Sequence, residues 1–101
     1  MGTEAHAEGI ETIASGTASH AEGKWAKAYG KYSHAEGFET VVGKLDSDGI
    51  YVSNTAPNGA HAEGYKTIAE GEASHAEGHL TKTVGISSHA EGIGTIAQGN
   101  Y

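Results

Sequence analysis

The 101-residue chain is short enough for one small domain, and its composition excludes a core of large apolar side chains. Leu, Ile, Val and Phe taken together are less frequent than Gly alone. Such a low content of large apolar residues, combined with a net charge of −7, is typical of disordered chains. Cysteine, a basic excess and a long apolar run are all absent from the sequence, so disulfides, nucleic-acid binding and membrane insertion of this segment are not expected.

An internal repeat organises the chain. The tetrapeptide His-Ala-Glu-Gly occurs three times in residues 5–43, and three further copies lie in residues 60–101. Successive copies within each block are separated by one constant repeat length, as in the step from His6 to His20. A weaker Ala-x-Gly echo, such as Ala14-Ser15-Gly16, follows most copies at half that length. The unit is therefore a seven-residue phrase, Ser/Thr-x-Ala-x-Gly-x-x, used twice in each 14-residue repeat.

The alternation within this phrase predicts short β-strands. With a period of two residues, Ser/Thr, Ala and Gly point to one face and the intervening residues to the other. A helix would carry a Gly in every phrase, at about 1 kcal/mol each, and would have no apolar stripe. Two strands and two Gly-x-x corners make one narrow coil, and stacked coils make a parallel β-solenoid. Seven coils spaced about 4.8 Å apart would form a rod roughly 34 Å long.

Residues 44–59 interrupt the repeat, because the third and fourth His-Ala-Glu-Gly copies are separated by almost two repeat lengths. The Asp46-Ser47-Asp48-Gly49 turn signal between apolar strand formers favours a hairpin or another excursion. A degenerate coil is the alternative, since Ser47 precedes His61 by one repeat length. A calcium loop is disfavoured because no Glu occupies its twelfth position. Loops leaving rigid scaffolds often carry recognition. The candidate recognition residues are Asp46, Asp48, Tyr51 and Asn54.

A column of histidines and a column of glutamates recur at the repeat spacing. Because the two residues are separated by two positions, they share a face, and we expect a structural ladder of His–Glu hydrogen bonds within and between coils. Two alternatives are stacked histidines that bind a divalent metal or an anion, and a solvent-exposed polar stripe. The spacing selects no metal, so no cofactor is assigned. The predicted ladder comprises His6, Glu8, His20, Glu22, His34, Glu36, His61, Glu63, His75, Glu77, His89 and Glu91.

The pentapeptide Ser19-His20-Ala21-Glu22-Gly23 and its copies at 33–37, 74–78 and 88–92 carry a family resemblance. They resemble the Ser-x-Ala-x-Gly repeats of YadA-like heads of trimeric autotransporter adhesins, and the related Ser-His-Ala-Glu-Gly repeats of phage tail and neck-appendage proteins. The resemblance implies that residues 1–101 are one all-β module, a left-handed parallel β-roll of 14-residue coils that is homotrimeric. Adhesin repeats commonly have apolar residues where His and Glu stand here, so the ladder would line the trimer interface.

The function implied by the resemblance is a non-enzymatic structural or adhesive segment of an extracellular trimeric fibre. Its partners would be two copies of itself and a receptor on a host surface or in the extracellular matrix. Its location would be a bacterial cell surface, with outer-membrane anchoring through other segments, or a virion tail. A phage-fibre module without an adhesive role and a metal- or anion-binding His solenoid are the alternatives. Open strand edges at both ends favour end-to-end stacking.

A catalytic site is not expected. Adjacent residues on a strand point to opposite faces, so Ser19 and His20, for example, cannot share a proton.

The remaining large side chains fall into two groups. One is a column of Ile or Val interrupted by Lys in the second strands, comprising Ile13, Lys27, Val41, Ile68, Lys82 and Ile96. The other follows Gly in the corners and either covers seams between chains or forms an exposed strip, comprising Ile10, Trp25, Phe38, Tyr65, Leu80 and Ile93. His79 is expected on the surface.

Overall fold

The computed structural model describes residues 2–44 and 57–100, which contain twelve β-strands and no helix. Strands of five residues alternate along the chain with strands of two. The long strands are β1 (His6–Ile10), β3 (His20–Lys24), β5 (His34–Phe38), β7 (His61–Tyr65), β9 (His75–His79) and β11 (His89–Ile93). The short strands are β2 (Ile13–Ala14), β4 (Lys27–Ala28), β6 (Val41–Val42), β8 (Ile68–Ala69), β10 (Lys82–Thr83) and β12 (Ile96–Ala97).

The strands form two parallel six-stranded sheets. One sheet contains the long strands in the order β1-β3-β5-β7-β9-β11, and the other contains the short strands in the corresponding order. Each coil contributes one strand to each sheet, and equivalent residues of successive coils pair directly, as in His20 with His34. The predicted all-β solenoid with 14-residue coils is therefore confirmed.

Small side chains fill the space between the sheets. Ala21, Ala35, Ala62 and Ala76 are fully buried. Most Ser and Thr residues at the predicted inward positions are also buried, whereas Thr12 in the first coil and Thr95 in the last are not. Val42 is the largest side chain that is fully enclosed among the described residues. The Ser hydroxyls also close the corners, since Ser74 Oγ donates to Gly71 O at 2.6 Å. The predicted Ser/Thr and Ala face is therefore the interior of the roll.

The corners contain residues with positive φ at positions where the residue type does not predict that conformation. Ten residues other than glycine have a positive φ of 53–61°, and they recur once in every seven-residue phrase within each repeat block. They include Trp25, Tyr32 and Leu80, none of which belongs to the residue types that tolerate this region easily. Each such residue costs on the order of 1 kcal/mol. The stacking of the coils therefore imposes the corner conformation against local preference.

No coil lies between the third and fourth repeats in the two described sheets. Strand β5 pairs directly with β7 in full register, with His34 opposite His61. The amide of Gly59 also donates to Lys31 O at 2.8 Å, as a residue of the next coil would. A degenerate coil threaded between these strands is therefore wrong. The described residues form six coils rather than seven, with a longest dimension of 31 Å. The recognition candidates Asp46, Asp48, Tyr51 and Asn54 lie outside the described residues.

The large side chains lie on the outside of the roll. The predicted second-strand column is confirmed, because Ile13 pairs with Lys27, and Lys27 with Val41, along the short-strand sheet. The corner group divides into two neighbouring columns, with Phe38 and Tyr65 in one and Trp25 and Leu80 in the next. The two columns arise because these residues occupy the first and second positions after Gly. Within residues 2–44 and 57–100, no helix has the length and apolarity needed to cross a membrane.

Candidate functional site

The long-strand sheet displays the predicted His–Glu ladder on its outer face. Each His-Ala-Glu segment directs Ala into the interior, so the flanking His and Glu side chains project outward two residues apart. Parallel pairing in register then aligns identical residues in successive coils. The histidine and glutamate columns both run through all six strands of this sheet.

The imidazole rings stack along the axis of the roll. Neighbouring ring centroids lie 4.5–4.9 Å apart. The rings are nearly parallel at the centre, where His34 and His61 meet at 4° and His61 and His75 at 6°. They tilt by 30° between His6 and His20 at one end. The spacing follows from the strand separation of about 4.8 Å, which is also a favourable stacking distance for flat rings.

Each histidine contacts the glutamate of its own coil and, in the second half of the roll, that of the preceding coil. The Nε2 atom of His61 lies 3.6 Å from Glu63 Oε2 and 3.8 Å from Glu36 Oε1. The corresponding distances for His75 are 3.6 Å to Glu77 and 3.3 Å to Glu63. Glu63 therefore bridges two histidines with its two carboxylate oxygens. Among the His–Glu contacts of the described ladder, only those between coils at His75 and His89 have hydrogen-bond geometry.

Burial increases towards the middle of the ladder. The His61 and Glu63 side chains are 32% and 30% exposed, against 58% and 61% for His6 and Glu8 at the first coil. The Nε2 atoms of His20, His34 and His61 are buried and have no hydrogen-bond partner. Since buried polar atoms are normally paired, these nitrogens mark a face whose bonding is incomplete in the single chain.

Burial and the neighbouring imidazoles lower the pKa of His34 and His61, which favours neutral rings at the centre of the ladder. The pKa values of the four central glutamates are lowered and raised in alternation along the column. Hydrogen bonding to Glu63, assisted by burial, raises the pKa of Glu36 to about 7. Hydrogen bonds from Glu77 and Glu36 lower the pKa of Glu63 to about 2. Glu36 therefore retains its proton to higher pH than an ordinary carboxyl group, next to an anionic Glu63.

The pKa of Glu22 is lowered by hydrogen bonds from the Glu36 and Glu8 carboxyls. The pKa of Glu77 is raised, chiefly by its hydrogen bonds to Glu63 and Glu91. Like charges stacked about 4.8 Å apart repel, and a raised pKa at Glu36 and Glu77 reduces that repulsion by favouring their neutral forms.

A groove runs beside the glutamate column. Its walls are the ladder glutamates, and its floor is the glycine that follows each of them, from Gly9 to Gly92. Glycine leaves the floor open because no side chain stands above the sheet there. The face thus presents a ridge of stacked imidazoles next to a groove, and both extend through six coils.

The ladder brings together side chains that could act as metal ligands. His20, Glu22 and His34 place one ligand atom each within 4.8 Å of one another, and equivalent groups recur along the ladder. Ser19 lies on the opposite face from His20, where its hydroxyl donates to Gly16 O at 2.6 Å. The predicted separation of Ser from His is therefore confirmed, and nucleophile activation by the neighbouring His is geometrically excluded at this position.

Several contacts outside the ladder were not predicted from the sequence. Trp25 Nε1 donates to Glu11 Oε2 at 2.9 Å, and Lys24 Nζ lies 4.5 Å from the centre of the Trp25 indole. The signal was available, since Glu11 and Trp25 are one repeat length apart and must therefore be neighbours in adjacent coils. His79 is exposed, as expected, and packs edge-on against Tyr65 in the corner column.

Comparisons with known proteins return no match: no family model, no curated protein and no solved structure is similar to this chain.

Proposed function

We propose that this chain is a non-enzymatic structural and adhesive segment of an extracellular trimeric fibre. The observation that carries the proposal is the placement of its apolar residues. Ile10, Leu80, Ile93 and Ile96 are 50–78% exposed, whereas the interior contains Ala, Ser and Thr. A roll this narrow cannot enclose large side chains, so association with other chains is the route to burying them.

The long-strand face is well suited to contact further copies of the same chain. Its imidazole ridge and its Glu-Gly groove share one axial repeat, so a copy that docks correctly at one coil is in register at all of them. The ladder side chains are 30–69% exposed, so their outer parts can contact polar groups of a partner. A ridge that enters a neighbour's groove is a heterologous contact, and a three-fold rotation closes it into a ring.

The excursion is the proposed recognition element. In the sequence it is inserted between β6 and β7, with three described coils before it and three after it. Residues 44–56 account for the whole excess of the spacing between His34 and His61 over one coil. A segment inserted into a rigid scaffold can vary without disturbing the stack, and such segments commonly carry binding specificity. The receptor class is a host-surface or matrix protein, and the fibre belongs to a bacterial surface or a virion tail.

The oligomeric state is tested by measuring molar mass with light scattering during gel filtration. We expect three times the 10.3 kDa chain mass. Glu77→Lys, on the ladder, is expected to dissociate the trimer, because it places a cation opposite a partner's histidines. Glu72→Lys, at an exposed corner, makes the same charge change and is expected to leave the mass unchanged. A monomeric wild-type chain would contradict the proposed assembly.

The adhesive role is tested by deleting residues 44–56. The deletion joins Gly43 to Pro57 and restores the 14-residue spacing, so we expect unchanged circular dichroism and molar mass. Binding to cultured host cells and to immobilised matrix proteins should be lost. A Gly/Ser segment of equal length in place of residues 44–56 controls for spacing. Retained binding in both variants would rule out the excursion as the adhesive element and favour a purely structural fibre module.

A further inference from the structure

We propose that the His–Glu ladder binds zinc-like divalent cations, with the central cation held by the histidine and glutamate of one coil and the histidine of the next coil. The sites are complete within a single chain, so the proposal does not depend on the trimer. Three observations carry it: the ligand set, the distances between ligand atoms, and the unpaired nitrogens at the centre of the ladder.

The ligand set favours zinc over the alkaline-earth cations. His34, Glu36 and His61 offer two imidazole nitrogens and one carboxylate oxygen. Imidazole suits Zn²⁺, Cu²⁺ and Ni²⁺, whereas Mg²⁺ and Ca²⁺ prefer a shell of oxygen atoms. Two histidines and one glutamate are also a known set of protein ligands for zinc, with a water molecule in the fourth position.

The distances fit a tetrahedral cation better than they fit hydrogen bonds. The Glu36 carboxylate lies 3.5 Å from His34 Nε2 and 3.8 Å from His61 Nε2. Hydrogen bonds from ring nitrogen to oxygen are usually about 2.7–3.2 Å long. A tetrahedral zinc with bonds of about 2.0–2.1 Å holds its ligand atoms about 3.3 Å apart. The three ligand atoms already lie within 4.8 Å of one another, so side-chain rotation can complete the site without moving the strands.

The central nitrogens supply an independent indication. The Nε2 atoms of His34 and His61 are buried and lack a hydrogen-bond partner, although carboxylate oxygens lie beside both. Aligned His–Glu hydrogen bonds would have satisfied these atoms. A cation placed between the rings would satisfy both nitrogens and the carboxylate at once. Of the two groups that contain two unpaired nitrogens, the His34–Glu36–His61 group is the more buried, and it is therefore expected to be the tightest site.

Stoichiometry follows from sharing of the histidines. His20 belongs both to the group with Glu8 and to the group with Glu22, and one Nε2 atom binds one cation. Groups that share a histidine therefore exclude each other. At most three groups without shared members fit on the described ladder, and the last of them uses two glutamates and one histidine. One such set is His6-Glu8-His20, His34-Glu36-His61 and Glu77-His89-Glu91. The ladder thus holds at most three cations per chain.

The test uses the untagged full chain after removal of metal with EDTA. Titration calorimetry with ZnCl₂ and elemental analysis after gel filtration are expected to show saturable binding of no more than three zinc ions per chain. MgCl₂ is expected to give no heat of binding. Cobalt(II) is expected to develop the intense visible absorption of a tetrahedral site. Absence of zinc binding, or a zinc count that rises with protein concentration through bridging of molecules, would overturn the proposal.

Variants locate the central site. Glu36→Gln and His61→Gln each remove one ligand of that site, and each is expected to weaken the tightest zinc-binding step at least tenfold. Glu70→Gln serves as the matched control, because Glu70 pairs with Lys82 at 2.9 Å on the short-strand side. Should Glu36→Gln fail to fold, His61→Gln and the cobalt spectrum of the wild-type chain still decide the question. Unchanged zinc affinity in a folded ladder variant would refute the assignment.

Discussion

Replacing Gly64 with alanine is expected to separate two neighbouring coils of the roll. An added Cβ at Gly64 would lie 2.2 Å from the carbonyl oxygen of Gly78, whereas ordinary contacts begin near 3.4 Å. The next coil must therefore move by about 1 Å, which disrupts the ladder of backbone hydrogen bonds between β7 and β9. Gly64 also has a φ of +110°, which an alanine adopts only with strain.

Gly92 provides a matched control. It has the same place in the His-Ala-Glu-Gly phrase and a φ of +112°, but the nearest atom to an added Cβ is Thr95 Cγ2 at 3.6 Å. Gly92→Ala therefore carries the backbone strain without the clash, at about 1–3 kcal/mol. Gly64→Ala adds the loss of about three backbone hydrogen bonds, each about 1 kcal/mol. The difference in unfolding free energy between the two variants is therefore expected to be about 3 kcal/mol.

Thermal unfolding followed by far-UV circular dichroism measures this difference. In a domain of this size, 1 kcal/mol shifts Tm by about 4–8 °C, so Gly64→Ala should unfold roughly 12–24 °C below Gly92→Ala. All samples need the same chain concentration, because association contributes to apparent stability. Equal melting temperatures for the two variants would refute the argument that close contact between coils, rather than backbone conformation, demands glycine in this column.

Two further predictions concern individual side chains and are measured by urea unfolding. Thr67 Oγ1 is buried without a hydrogen-bond partner, whereas Thr81 Oγ1 donates to a backbone carbonyl at 3.1 Å. Thr67→Val is therefore expected to be neutral or stabilising and Thr81→Val to cost about 1 kcal/mol, and the reverse order would contradict the hydrogen-bond assignment. Ala73 is exposed with a φ of +54°, so Ala73→Gly is expected to stabilise the roll by about 0.5–1 kcal/mol, and a loss of stability would show that the corner is unstrained.

The repeat spacing carried most of the information about the fold. A 14-residue period with Ser/Thr and Ala on alternate positions predicted the coil, the parallel pairing and the small-residue interior. These features are predictable because each depends on a pattern that recurs in every coil. The His and Glu columns were predictable for the same reason, since identical residues one repeat length apart must align in a parallel sheet.

Features in which the packing of the coils overrides local conformational preference were harder to predict. The positive φ at Trp25 or Tyr32 has no local signal, because neither position holds Gly or Asn and only the geometry of the stack demands it. The sequence did not decide between an excursion and a degenerate coil at residues 44–59, because Ser47 precedes His61 by one repeat length. The available clue was that His61 comes one position too early to complete two full coils after His34. Distances within the ladder depend on side-chain rotation, which the periodicity does not determine.

Because β5 pairs directly with β7, the length of the rod depends only on the number of 14-residue units. Every 14-residue unit adds one layer about 4.8 Å thick, and each layer contacts only its neighbours. Duplication or loss of a unit therefore changes the length in fixed steps while the cross-section stays the same. Residues 44–56 add no layer between β5 and β7, so the number of units that precede them sets the layer at which they are inserted. A change in copy number can thus shift that point of insertion along the axis without any substitution in residues 44–56.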